Sequence, residues 1–375
     1  MCLSLILLHV VIFSGQNTPP RFQYCAVCPP SHRADLNLTG CEISILSRVD
    51  VDEVTIATML NVETISLTAM EPVSRVIDSS LLVDEGLEDK GIIISSDEEL
   101  VITVVKTESE TGVSRFTDAY QVYDSRLAGY DFFVLTKTNE CNNTDYVKSF
   151  FSVMTFDDGN FVEIYNTEGI FTGASVINRY QVFTVKTDQY NDDFSGIWIR
   201  MSERALVVTG CMCAGNSLDG VTESYIATLQ STIFYGTDYV TPVIGGSIIA
   251  GYGLRVLASE ADTVVINEGT EYNLNRGEWV ELLFPITELA ARLTCSEACL
   301  VMQWSDGNDI GNFMFNVFDF NFQFTKVATF MTLDFEGDKW VSIVVKGFPP
   351  MDDIFLDGES LFDETWKVSS IHIIP

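Results

Sequence analysis

The stretch Asp193 to Gly210, Asp-Phe-Ser-Gly-Ile-Trp-Ile-Arg-Met-Ser-Glu-Arg-Ala-Leu-Val-Val-Thr-Gly, constrains the fold more than any other part of the chain. Apolar and polar side chains alternate through Ile197, Trp198, Ile199 and Arg200, which a pleated strand sends to opposite faces, whereas Ala205 to Val208 is apolar throughout. The pattern predicts two short strands joined by a polar turn at Met201 to Arg204. It contains no reaction centre, so it speaks to architecture before chemistry.

Similar segments recur. Glu53 to Met59, Glu63 to Thr68, Gly91 to Ser95 and Leu100 to Lys106 are rich in Val, Ile and Thr and end in acidic or Ser/Gly clusters, as strands between loops do. From Asp118 the order is Gly129 to Val134, Phe150 to Thr155, Asp157 to Ile164, Tyr180 to Val185 and then the stretch above. A second copy starts about 107 residues on at Gly236-Thr-Asp238, and continues through Leu254 to Ala258, Asp262 to Ile266, Trp279 to Phe284 and Cys299 to Trp304. A weaker third is Phe330 to Asp334, Trp340 to Lys346 and Ile354 to Gly358. The best helix signal is a short one, Thr287 to Arg292, capped by Thr287. Units of this size predict an all-β chain of tandem β-sandwich-like units, with a β-propeller as the alternative. The divisions expected are a signal peptide (1–16), an irregular Pro- and Cys-rich lead-in (17–40), an N-terminal β unit (41–117) and a β domain (118–375) with sub-units near 118–215, 216–310 and 311–375.

Charge narrows the partners. The 53 acidic and 21 basic residues leave a formal charge of -32, whereas nucleic acid needs a basic track along its phosphates. Cations, basic proteins or a hydrated gel suit such a surface better, and a solubilising role alone also accounts for it. Leu3 to Phe13 is mostly apolar and precedes Ser14 and Gly15, which has the length of a signal peptide and is too short for a membrane span. Thr241 to Ser259, the best later candidate for a span, is broken by glycines and Arg255. The chain therefore reads as secreted and extracellular.

Of nine cysteines, Cys2 lies in the leader. The other eight, Cys25, Cys28, Cys41, Cys141, Cys211, Cys213, Cys295 and Cys299, form an even set, which in an exported chain predicts a disulfide framework. Proximity favours bonds within Cys25/Cys28/Cys41 and between Cys295 and Cys299. A zinc site on Cys25-x-x-Cys28 and Cys211-x-Cys213 is the rival reading, poorly served by a chain whose three histidines are His9, His32 and His372. Asn37 and Asn142 stand in glycosylation sequons.

Asp118-Ala-Tyr120, Leu127-Ala-Gly-Tyr-Asp-Phe132, Asp193-Phe-Ser-Gly196 with Ile199, Val207-Val-Thr-Gly210 and the following Cys211-Met-Cys213-Ala214 come in a telling order. Together they resemble the N-terminal domain of IgGFc-binding proteins. Tyr235-Gly236 before Asp238-Tyr239, Val301-Met-Gln303 and Leu356-Asp-Gly358 are similar to that family's later landmarks. Arg204 replaces the family's strand proline, and Thr222-Glu-Ser-Tyr225 replaces a Cys-Asp-His-Leu segment, so the usual partner of Cys213 is missing. The resemblance implies an exported, non-catalytic module of mucus-associated and adhesive proteins.

Acidic loops raise two chemical readings. Asp157, Asp158, Asp188, Asp192, Asp193, Asp306 and Asp309 cluster in loops where oxygen donors could hold calcium, although none fits an EF-hand and solvated turns use the same residues. A glycan hydrolase would need two carboxylates across a cleft, with Trp198, Trp279, Trp304, Trp340 or Trp366 as sugar platforms, and no local motif marks such a pair. A triad lacks its general base. The expectation is a secreted binding, adhesion or structural module for a protein or glycan partner, without enzyme activity or cofactor, assembling with mucin-like or matrix proteins; the alternative is the hydrolase.

Overall fold

Three tandem copies of one strand-pairing pattern account for the observed architecture. The computed structural model describes residues 22–30, 39–110, 113–137, 148–187, 192–216, 222–242, 252–285, 290–307 and 311–319. It also describes four short strands, Val344–Lys346, Phe355–Leu356, Glu359–Ser360 and His372–Ile374. No α-helix occurs among the described residues, and the fold is all-β.

The first unit holds β1 (Phe22–Ala26), β2 (Thr39–Ser47), β3 (Val51–Ala57), β4 (Val62–Leu67), β5 (Val73–Ile77), β6 (Gly86–Glu88), β7 (Ile92–Ser96), β8 (Leu100–Glu110) and β9 (Val113–Val122). Two four-stranded sheets, β1-β7-β3-β4 and β5-β2-β8-β9, pack into one core through residues such as Ile56, Ile92 and Ile94 on the first and Ile43, Ile45 and Ile102 on the second. The expected irregular lead-in thus contains a strand: Cys25 and its neighbours pair with β7, and this pairing overrides the proline-rich flanks.

The second unit holds β10 (Gly129–Phe133), β11 (Ser149–Thr155), β12 (Asn160–Tyr165), β13 (Phe171–Ile177), β14 (Val182–Lys186), β15 (Trp198–Asn216) and β16 (Thr222–Thr228). The third holds β17 (Gly236–Pro242), β18 (Tyr252–Ala258), β19 (Thr263–Asn267), β20 (Thr270–Leu274), β21 (Trp279–Phe284), β22 (Ala290–Gly307) and β23 (Gly311–Val317). Pairings repeat throughout: β2 with β5 and β8, β11 with β14 and β15, β18 with β21 and β22. In the second and third units one long strand does the work of β7 and β8 together.

Two expectations are corrected here. Met201 to Arg204 does not end a strand; β15 runs through it, pairing Met201 with Val162 of β12 and Ala205 with Thr155 of β11, so within one eight-stranded sheet the strand changes partner from β12 to β11. The extra residues bulge against β10, where Gly129 faces Ala205 and Asp131 faces Arg200. β22 repeats the step, with Gly236 opposite Cys299 and Asp238 opposite Thr294. Ala290 to Arg292 is strand, not helix, because it pairs with Pro242 to Val240 of β17 and that ladder outweighs local propensity; residues 286–289 lie outside the described residues. A tyrosine closes the step at either end of the array. The Tyr239 hydroxyl accepts from the Gly236 amide (2.8 Å) and donates to the Cys299 carbonyl (2.5 Å), and the Tyr24 hydroxyl accepts from the Leu100 amide at 2.7 Å.

Units are joined by shared cores. Leu206, Val208, Phe150 and Met154 of the second unit face the first unit's core, while Ala205, Val207, Phe151 and Val153 face a core that takes Leu257, Leu300 and Met302 from the third. The uniformly apolar run at Ala205 to Val208 therefore reflects burial on both faces of the strand. β6 of the first unit also adds an edge to β14 of the second. Gly196 and Gly277 have φ of +93° and +79°, and a Cβ on Gly196 would strike the Gly277 carbonyl, so the turn of one unit rests directly on the backbone of the next.

Candidate interaction surface

The outer face of the β13-β12-β15-β10 sheet is where side chains of recognition chemistry gather. Strand β12 carries apolar residues on both faces: Val162 is buried in the core, whereas Phe161 and Tyr165 point outward. Register then builds rows across the sheet. Phe161 faces Val176; Glu163 faces Ala174 on one side and Arg200 on the other, with Asp131 beyond; Tyr165 faces Phe171 and Trp198, with Phe133 beyond. Ring centroids are 5.8 Å apart for Phe171 and Tyr165, 4.7 Å for Tyr165 and Trp198, and 6.4 Å for Trp198 and Phe133, distances at which aromatic pairs attract.

The row grades from core to solvent. Phe133 is buried and Trp198 and Tyr165 are partly covered, while Phe171 is 54% exposed beside Ile170 at 55%; Phe161 and Val176 are 43% and 49% exposed. Contiguous exposed apolar side chains of this size mark contact surfaces, unlike single surface leucines. Two arginines frame the row. Arg276, from the turn before β21, sits 4.3 Å from the Trp198 ring centre, and Arg200 sits 5.7 Å away and 3.9 Å from Asp131.

A buried polar knot fixes this face against the third unit. Arg255 of β18 is bonded through Nη1 to Asp193 and to the Thr136 carbonyl, and through Nε to Glu281 at 2.7 Å, with its guanidinium 4.2 Å from the Trp279 ring centre. The Asp193 carboxylate also accepts from the Ser195 amide (2.8 Å) and the Thr136 hydroxyl (2.5 Å). Burial opposes its charge, but Arg255 and these donors outweigh that and hold its pKa below the usual carboxylate value. Lys137 completes the knot, 3.2 Å from Glu281 and 4.0 Å from the Trp304 ring centre.

The residues singled out by sequence are dispersed. Asp193 is committed to Arg255 and Asp158 accepts from the Arg179 amide at 3.0 Å, with Asp157 beside it in a turn; Asp192 is exposed. Asp188, Asp309 and the Asp306 side chain lie outside the described residues, among which no three His, Cys, Asp or Glu side chains converge as a metal site would require. Trp279 lies under Arg255 and Trp304 under Lys137; Trp340 and Trp366 lie outside the described residues. Cys28 and Cys41 are joined by a disulfide. Cys25 is buried with Sγ 3.7 Å from the Thr155 carbonyl, and burial raises its pKa; it is not in that bond. Cys211 is buried in β15, Cys295 and Cys299 in β22. Residues 1–16, Asn37, Asn142, Cys141 and the Cys213 side chain lie outside the described residues.

Sequence reasoning considered the tryptophans as sugar platforms and missed the row through Tyr165 and Phe171. The available signal was Asn160 to Tyr165, where Val162 and Ile164 alternate with Phe161 and Tyr165, so neither face of the strand is polar.

Comparison with known proteins adds one match. The family described as IgGFc binding protein matches residues 118–372, more than half of the chain. No curated protein matches.

Proposed function

From the premise that this chain belongs to the IgGFc binding protein family, we propose that it is an extracellular recognition module that docks a protein on the outer face of β13-β12-β15-β10. The carrying observation is the aromatic row with its two arginines, the residue types that dominate protein interface energies. A protein suits the surface better than a glycan. Tyr165 and the Arg276 guanidinium already lie against the Trp198 ring, whereas sugar recognition needs a bare aromatic face. β13 adds a strand edge beside the row, as it pairs only with β12 among the described strands. The module works in mucus or matrix as an adhesive or structural component, without a catalytic step. Secretion, glycosylation and assembly with mucin-like proteins belong to the same reading.

The immunoglobulin G Fc fragment and purified secreted mucin are the probes to immobilise. The full chain should bind at least one, and Tyr165→Ser combined with Phe171→Ser should weaken that binding about 30-fold or more, the scale of a lost hot spot, without shifting the melting temperature. Binding that survives the double variant would remove the site. Steady release of sugar from a glycan panel would replace the reading with hydrolysis.

A further inference from the structure

Cys295 and Cys299 occupy the step in β22 where its partner changes from β19 to β18. Thr294 is opposite Asp238 and Cys299 is opposite Gly236, so Cys295 to Ala298 form the extra loop between them. On the other side Cys295 faces Val265 of β19 and Cys299 faces Ala258 of β18, each at the end of its ladder. Both side chains enter the same apolar core, beside Val265, Leu293 and Tyr239, and both are buried. Both are free thiols in this structure, and Cys299 Sγ lies 3.6 Å from the Glu297 carbonyl inside the loop. The equivalent step in the second unit carries Met201 and Ala205, so the sulfur pair is peculiar to the third.

Two buried thiols four residues apart across this step, in one apolar core, are poorly explained as core filling, for which Met201 and Ala205 serve in the neighbouring unit. We infer that Cys295 and Cys299 form a disulfide in the mature extracellular protein, stapling the step at which β22 passes from β19 to β18. The oxidant is a small-molecule disulfide such as oxidised glutathione. One thiolate attacks it, forming a mixed disulfide and releasing one thiol; the second thiolate then attacks the protein sulfur and releases the other. Two protein protons and two electrons thus end on the released thiols.

Timing follows from burial. The neighbouring Cys295 thiol and burial both raise the pKa of Cys299 far above the ordinary thiol value, so little thiolate exists once the core has closed. The bond therefore forms while β22 is still open, and the folded reduced protein oxidises slowly.

The test uses the full chain recovered from the medium of secreting cells, alkylated in denaturant without reductant and then cleaved at Lys and Arg. Leu293 to Lys326 contains both cysteines and no internal cleavage site. This peptide should lack two hydrogens and carry no alkyl group, and should take up two alkyl groups after reduction. Two alkyl groups before reduction, or either cysteine joined to any other thiol, would overturn the assignment. In a second arm, folded reduced protein given oxidised glutathione should retain both thiols for hours and lose them within minutes in denaturant; equal rates would refute the order of closure and oxidation. Neither arm involves the docking face, so failure here leaves the recognition reading intact.

Discussion

Asp193 and Arg255 meet inside the protein from positions 62 residues apart in the chain, and their charges cannot be separated cheaply. The pair lies between two units, with Arg255 6% and Asp193 19% exposed, so removing one partner strands the other in a poorly solvated site. Breaking a buried pair in this way costs about 3–5 kcal/mol, at the lower end here because Glu281 remains beside Arg255. The same pair sets an acid limit. Because the folded pKa of Asp193 is depressed, its contribution is present above its unfolded value, near pH ~4, and is lost as pH falls through the folded value. Thermal melts from pH 6 to pH 3 should therefore show a steeper loss for wild type than for Asp193→Asn, which starts lower; parallel curves would mean that the knot does not titrate. Sequence reasoning placed Asp193 among calcium candidates because its neighbours Asp192 and Asn191 are acid or amide. What decides its role is a cation delivered from another unit, and no local pattern contains that cation.

At the level of elements, the step in the long strands depends on glycines that admit another part of the chain. A Cβ at Gly236 would overlap Asp319, whose carboxylate accepts from the Thr237 amide at 2.6 Å and the Asp238 amide at 3.1 Å. Gly236→Ala should thus displace a buried carboxylate and two backbone bonds, at about 1–3 kcal/mol for an overpacked site. Gly173→Ala on β13 meets nothing within 4 Å and should stay within about 0.5 kcal/mol of wild type. Urea midpoints of the two variants would show the contrast, and equal midpoints would refute the packing account. The glycine-to-aspartate step was legible as a recurrence, and so were most strands between Gly129 and Trp304. The pass of β15 through Met201 to Arg204 was not, since a polar run inside a bulge has the composition of a turn. β13 escaped notice for a related reason: as a sheet edge it alternates weakly and contains Gly173, so neither periodicity nor propensity marks it.

The molecule as a whole adds two properties that no single element carries. Its cores are built between units as well as within them, with alternate residues of β11 and β15 divided between two neighbours. The order of strands could be read from the sequence, but this stacking could not, because a run apolar on both faces does not say what covers each face. The second property is charge. A formal -32 over the 375 residues opposes close stacking of the units, while the ion pairs that join the second unit to the third, Asp193 with Arg255 and Lys137 with Glu281, are few. Raising monovalent salt from about 10 mM to 150 mM shortens the screening length from about 30 Å to about 8 Å, which weakens repulsion between units more than contacts within the buried knot. The melting temperature should therefore rise with salt over this range, in contrast to a protein held together by surface ion pairs. A fall would mean that attraction between charges dominates and that the acidic excess is already neutralised within the fold. The same field bears on recognition: a basic partner is drawn to the whole molecule, so its association rate should drop as salt rises even where the contact made by Tyr165 and Phe171 is apolar.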